Sequence, residues 1–93
     1  MFTLIDSFEK ASQKLGFSKK LSRELILSTF LGSSKLMEQI KKEPGKLADS
    51  IAIKGGTTEA GIKVLKRNNI NKIIHRTVLA AYKRALLLGK IND

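Results

Sequence analysis

The segment from Ser18 to about Lys42 constrains this chain most, because it reads as one helix that is apolar nearly all round its middle. Leu21, Leu25, Ser28, Gly32 and Leu36 form one stripe at helical spacing, and Ile26, Phe30, Met37 and Ile40 form a second. Leu27 and Leu31 fill much of the remaining surface, while charges gather at the two ends. A helix of this kind has to be buried on several sides. A chain of 93 residues has few elements of its own to do that. A subunit interface would supply the missing neighbours, and the alternative is the central helix of a compact bundle. Gly32, Ser33 and Ser34 allow close backbone approach at mid-helix. Leu25, Thr29, Gly32 and Leu36 are the residues expected at an interface with a second copy.

The flanking segments also read as helices. Phe2 to Leu15 carries Leu4, Phe8, Ala11 and Leu15 on one face, widened by Phe2 and Ile5, and Gly16 stops it. With apolar Phe2 directly after Met1, it has the look of the second part of a longer helix. Ser18 is the expected N-cap of the long helix, with Phe17 as a staple residue ahead of it. Lys41-Lys42 falls at the expected C-terminus, where the helix dipole favours cations. Pro44 opens a short third helix, from Gly45 to about Ser50, with Leu47 and Ile51 facing inward. A fourth runs from Thr57 to Arg67 with Ala60, Ile62, Val64 and Leu65 apolar, and Asn68-Asn69 ends it. Asn71 is the expected N-cap of the last helix, which carries Ile74, Val78, Ala81, Ala85 and Leu88 on one face, widened by Ile73 and Leu79, before Gly89. Nothing reads as a strand. The expectation is a single all-α domain of about five helices over residues 1–93.

Composition narrows the chemistry. Without cysteine there are neither disulfides nor thiolate metal sites. The one histidine, His75, has no carboxylate within a turn to orient it, so it reads as a surface residue, and no catalytic or metal residue is expected. Tyr82 reads as an aromatic at the edge of the core, its hydroxyl toward water. The net charge of +10 raises the alternative of a small basic helical nucleic-acid-binding protein. Against it, the cations are mostly lysines dispersed along the chain, with Arg23, Arg67, Arg76 and Arg84 the arginines, and bidentate recognition of phosphate or bases favours arginine. A solvated basic surface is the simpler reading. No apolar run approaches the ~18 residues a membrane span needs, and the N-terminus has no basic region of the signal-peptide kind. A soluble cytoplasmic protein is expected.

One stretch suits an anion. Lys54-Gly55-Gly56-Thr57-Thr58-Glu59-Ala60-Gly61 pairs glycines that let backbone approach a ligand with threonines at the start of a helix. Hydroxyls, first-turn N–H groups and the helix dipole together would hold a carboxylate or a phosphate. The same residues also read as a plain turn followed by a threonine N-cap.

Taken in order, these pieces resemble the C-terminal helical dimerisation domain of the pyrroline-5-carboxylate reductases. Ser28-Thr29-Phe30-Leu31-Gly32-Ser33-Ser34-Lys35-Leu36 is similar to that family's QTVLGAAKML helix, and Leu15-Gly16-Phe17-Ser18 to its MGLP turn. Pro44-Gly45-Lys46-Leu47-Ala48-Asp49-Ser50-Ile51 resembles HPAQLRDAV, and Gly55-Gly56-Thr57-Thr58-Glu59-Ala60-Gly61-Ile62 is close to GGTTIAGL. The final helix is similar to the segment that ends those enzymes.

The resemblance implies an intertwined homodimer, or larger rings of dimers, with the active site between the cofactor of one subunit and the helical domain of its partner. It implies that Gly56, Thr57 and Thr58 bind the carboxylate of 1-pyrroline-5-carboxylate or proline, Thr58 above all. The reaction it implies is hydride transfer from NAD(P)H to the ring C=N, the last step of proline synthesis. Two departures accompany it. No Gly-x-Gly-x-x-Gly follows a strand, so no cofactor is expected in this chain, and the Rossmann domain that binds NAD(P)H would have to be a separate polypeptide. The stretch SGSGPAY, expected just before Phe2, is not there either. In the loop, the family's TSPGGTT is Ala52-Ile53-Lys54-Gly55-Gly56-Thr57-Thr58, which replaces a carboxylate-holding serine with Ile53 and a proline with Lys54. The expectation is a truncated or split reductase portion, inactive by itself.

Overall fold

The computed structural model describes residues 1–89. Five α-helices and no strand occur among them: α1 (Phe2–Lys14), α2 (Lys19–Gln39), α3 (Pro44–Ile51), α4 (Thr57–Arg67) and α5 (Ile70–Leu87). The fold is all-α, as the periodicity predicts. The chain divides into two compact units, Met1–Leu47 and the stretch from Ala48 onward.

In the first unit, α1 ends in a Schellman motif. The N–H of Gly16 donates to Gln13 O at 3.0 Å, that of Phe17 to Ser12 O at 3.2 Å, and Gly16 sits at φ 105°. Ser18 follows at once as N-cap of α2, its hydroxyl accepting from Leu21 N at 3.1 Å. So short a link brings α1 and α2 together. The Phe8 and Phe30 rings meet edge to face, centroids 5.7 Å apart at 75°. Arg23 donates two hydrogen bonds to the Glu9 carboxylate, from Nε to Oε2 and from an Nη nitrogen to Oε1 at 3.2 Å. Hydrogen bonding to Glu9, then its charge, raises the affinity of the Arg23 guanidinium for its proton.

On α1 this packing shifts from the centre of the expected face toward the edge that Ile5 marks, whereas on α2 the second stripe is the covered one. The α1 residues most covered are Ile5, Glu9 and Ser12, not Leu4, Phe8, Ala11 and Leu15. In α2 they are Ser22, Ile26 and Phe30, four apart, while Leu21, Leu25 and Leu36 of the other stripe stay exposed. The long helix also stops earlier than expected. Gln39 is its last residue and Ile40 its extended C-cap, so Lys41-Lys42 lies outside the last turn.

In the second unit, α4 and α5 pack on each other across a tight link. Asn69 adopts the left-handed conformation, φ 56° and ψ 52°, and its carbonyl accepts from Lys72 N and Ile73 N. Asn68 Nδ2 returns to Val64 O at 2.9 Å. The N-cap of α5 is therefore Asn69, not Asn71, because the αL turn lets the helix begin at Ile70. Lys66 and Arg67 do occupy the last turn of α4. Pro44 is the first residue of α3, as expected, and Leu47 is partly covered, but Ile51 is 64% exposed and does not face inward.

No apolar side chain is buried among the described residues, and the buried side chains are Glu9 and Ser22. Large hydrophobics of every helix face solvent, Leu31, Val78 and Leu87 among them. No helix is long and apolar enough to cross a membrane among the described residues.

Candidate functional site

Residues 52–59 form the one stretch whose sequence suits an anion, and its geometry follows from two glycines. Gly56 N donates to Ile53 O at 2.8 Å, closing a turn with Lys54 and Gly55 at its centre. Gly55 has φ 79°, the value a type II turn requires at its third position. A Cβ on Gly56 would stand 3.0 Å from Ile53 O and 3.5 Å from Ile53 Cβ, so the loop closes tightly only with glycine there.

Gly56 is the N-cap of α4, extended at φ −88° and ψ 177°, with no side-chain cap bond. The helix therefore does not open on a threonine N-cap. Thr57 and Thr58 are its first two residues, both exposed, and their N–H groups have no partner among the described residues. Such unsatisfied first-turn donors, with the positive end of the dipole behind them, attract anions.

Glu59, in the same turn, reaches backward. Its Oε1 accepts from Gly55 N at 3.0 Å, and Lys63 Nζ stands 3.5 Å from the same oxygen. The Gly55 N–H chiefly holds the Glu59 carboxyl below the usual range; burial opposes it, and the charge and hydrogen bond of Lys63 add lesser lowering effects. Glu59 is not among the residues the sequence alone marks as binding an anion. Its position three residues after Gly56, the glutamate position of a capping box, is the signal that marks it. Asp49, Ala52, Glu59, Ile62, Lys63 and Lys66 line a shallow cleft of about 250 Å³ beside the loop.

The residues expected at an interface lie together on the first unit. Leu25, Thr29, Gly32 and Leu36 are all exposed on α2, spaced so that they share one face. The Thr29 hydroxyl donates to Leu25 O at 2.8 Å, and nothing lies within 4 Å of a Cβ placed on Gly32. Beside them, Phe8, Ile26, Thr29, Phe30, Ser33 and Ser34 line an apolar groove of about 310 Å³.

His75 is exposed, and no group of acidic residues and histidine could hold a metal among the described residues. The glycine turn at Gly55-Gly56 follows α3, not a strand as in a Rossmann dinucleotide loop.

Comparison with known proteins shows the family. A family model described as pyrroline-5-carboxylate reductase dimerisation matches residues 1–88. The chain is 35% identical over 85 residues to pyrroline-5-carboxylate reductase 2 of Bacillus subtilis, covering 91% of this chain and 31% of that protein. It is 31% identical over 87 residues to the pyrroline-5-carboxylate reductase of Synechocystis, covering 94% and 33%. A crystal structure of Plasmodium falciparum pyrroline carboxylate reductase with NADP bound superposes with a TM-score of 0.89 at 30% identity, over 95% of this chain and 34% of that one. The chain thus spans about a third of the length of the curated relatives it matches.

Proposed function

Because this chain belongs to the pyrroline-5-carboxylate reductase dimerisation family, we propose that these residues are the self-associating, substrate-carboxylate-binding portion of such a reductase. The two units act together as one domain, a second copy covers the Leu25, Thr29, Gly32 and Leu36 face, and the assembly works in the cytoplasm. The ligand is the carboxylate of 1-pyrroline-5-carboxylate or of proline, held by Gly56, Thr57 and Thr58. The observation that carries this reading is the opening of α4 on a glycine N-cap, which leaves the Thr57 and Thr58 donors without an internal partner. An N-cap side chain would compete for those donors.

The chain's own residues bind and orient; they do not reduce. NAD(P)H has to be held outside these residues, by a Rossmann domain, for the ring C=N to accept a hydride. The test is to mix this chain with a separately produced Rossmann portion and follow NADPH oxidation with 1-pyrroline-5-carboxylate. Turnover above that of either part alone is the expected result. No gain on mixing, at concentrations where the two parts associate, would contradict it.

A further inference from the structure

The hydrogen bonds of the glycine loop divide its amide groups into two sets. Ahead of the helix, both loop amides are used internally: Gly56 N on Ile53 O at 2.8 Å, and Gly55 N on Glu59 Oε1 at 3.0 Å. Inside the first turn, the Thr57 and Thr58 amides are left open. An ordinary capping box spends its N-cap oxygen on a first-turn amide and its glutamate on the N-cap amide. Here the N-cap is a glycine with no oxygen to spend, and the glutamate reaches one residue further out.

We infer that Glu59 is a positioning residue for the carboxylate loop: it clamps Gly55 in the left-handed turn and so presents Thr57 and Thr58, without occupying the donors a ligand needs. This rests on the carboxylate reading of the loop. Lys63, one turn on, stands 3.5 Å from the oxygen that makes the clamp and keeps it charged and aimed. The clamp is directional as well as ionic. Its main partner is a backbone N–H, so a neutral oxygen at the same place preserves most of it. Asp49, Lys63 and Lys66 are the other ionisable groups on the same cleft.

The test compares the full chain with Glu59→Gln and Glu59→Ala, reading amide exchange at Gly55 and affinity for proline in the same samples. Glu59→Gln keeps an acceptor at the same reach. It is expected to retain slow exchange at Gly55 and to bind proline within about three-fold of the parent. Glu59→Ala removes the clamp; exchange at Gly55 and the dissociation constant for proline both rise about ten-fold, while α4 keeps its helicity. Equal Gly55 exchange in parent and Glu59→Ala overturns the clamp. A clamp lost without any change in proline affinity overturns the positioning role. If none of the three binds proline, the carboxylate reading itself fails, and Gly55 exchange alone then decides whether the clamp exists.

Discussion

Ile53 and Glu59 set the character of the loop between α3 and α4, one by what it lacks and the other by what it holds. Ile53 is 75% exposed and its carbonyl closes the turn, so its side chain can be changed without disturbing a core or the fold of the loop. Ile53→Ser adds a hydroxyl where the resembling family carries one. A hydrogen bond to a charged group is worth about 1.5–3 kcal/mol, so the expected gain in proline affinity is about ten-fold or more. Calorimetric titration of the two proteins reads it, and equal affinities would refute the role given to that position. Lys54 lies at the second position of the turn, where proline is favoured. Lys54→Pro should stabilise the chain by about 0.4–1 kcal/mol through the unfolded state, measured as a shift of the urea midpoint at constant slope. Glu59 makes the loop sensitive to acid. Its carboxyl is held below the ordinary value in the folded chain, so its contribution to stability is complete above about pH 4.3. That contribution is lost as the pH falls through the depressed folded value. Stability against pH should therefore drop less on the acid side in Glu59→Gln than in the parent.

At the scale of elements, the helices are legible and so are the two stripes of α2, but the inward face of α1 is legible only in part. Ser18, Pro44 and Gly16 announced their caps and breaks because each acts through its own backbone chemistry, and the structure places all three as expected. Ser18→Ala should cost about 1 kcal/mol by removing the bond to Leu21 N, read from thermal or chemical unfolding. The left-handed asparagine that ends α4 is legible, and Asn69 takes it, but α5 starts two residues earlier than the Asn71 cap implies, because the same Asn69 serves both as the turn and as the N-cap. The inward face of α1 is legible only in part for a different reason. Apolar periodicity pointed to Leu4, Phe8, Ala11 and Leu15, yet the covered row contains Glu9, whose burial depends on Arg23 fourteen residues away. A pairing at that distance leaves no mark in a local pattern. The anion loop was legible in its glycines and threonines, whereas the backward reach of Glu59 was not, because it needs the turn to be closed first.

For the whole molecule, the governing fact is the absence of any buried apolar side chain among the described residues. Leu25, Leu27, Leu31 and Leu36 of α2 and Val78, Leu79 and Tyr82 of α5 are all exposed, which is far more apolar surface than a chain gains from facing water alone. The self-association proposed from family membership would give that surface a cover, a second copy of the chain. Gly32 separates the two states. A Cβ there has nothing within 4 Å in a single chain, and a side chain improves helix propensity by up to about 1 kcal/mol, but a leucine would wedge apart two copies packed along α2. Gly32→Leu is therefore expected to weaken self-association while leaving the helicity of the chain intact. The most direct measurement is the solution mass of the unmodified chain by sedimentation equilibrium at micromolar concentration. Twice the chain mass of 10.3 kDa, or a multiple of that dimer, is the predicted result. A folded species that remains at 10.3 kDa across the whole concentration range would contradict it.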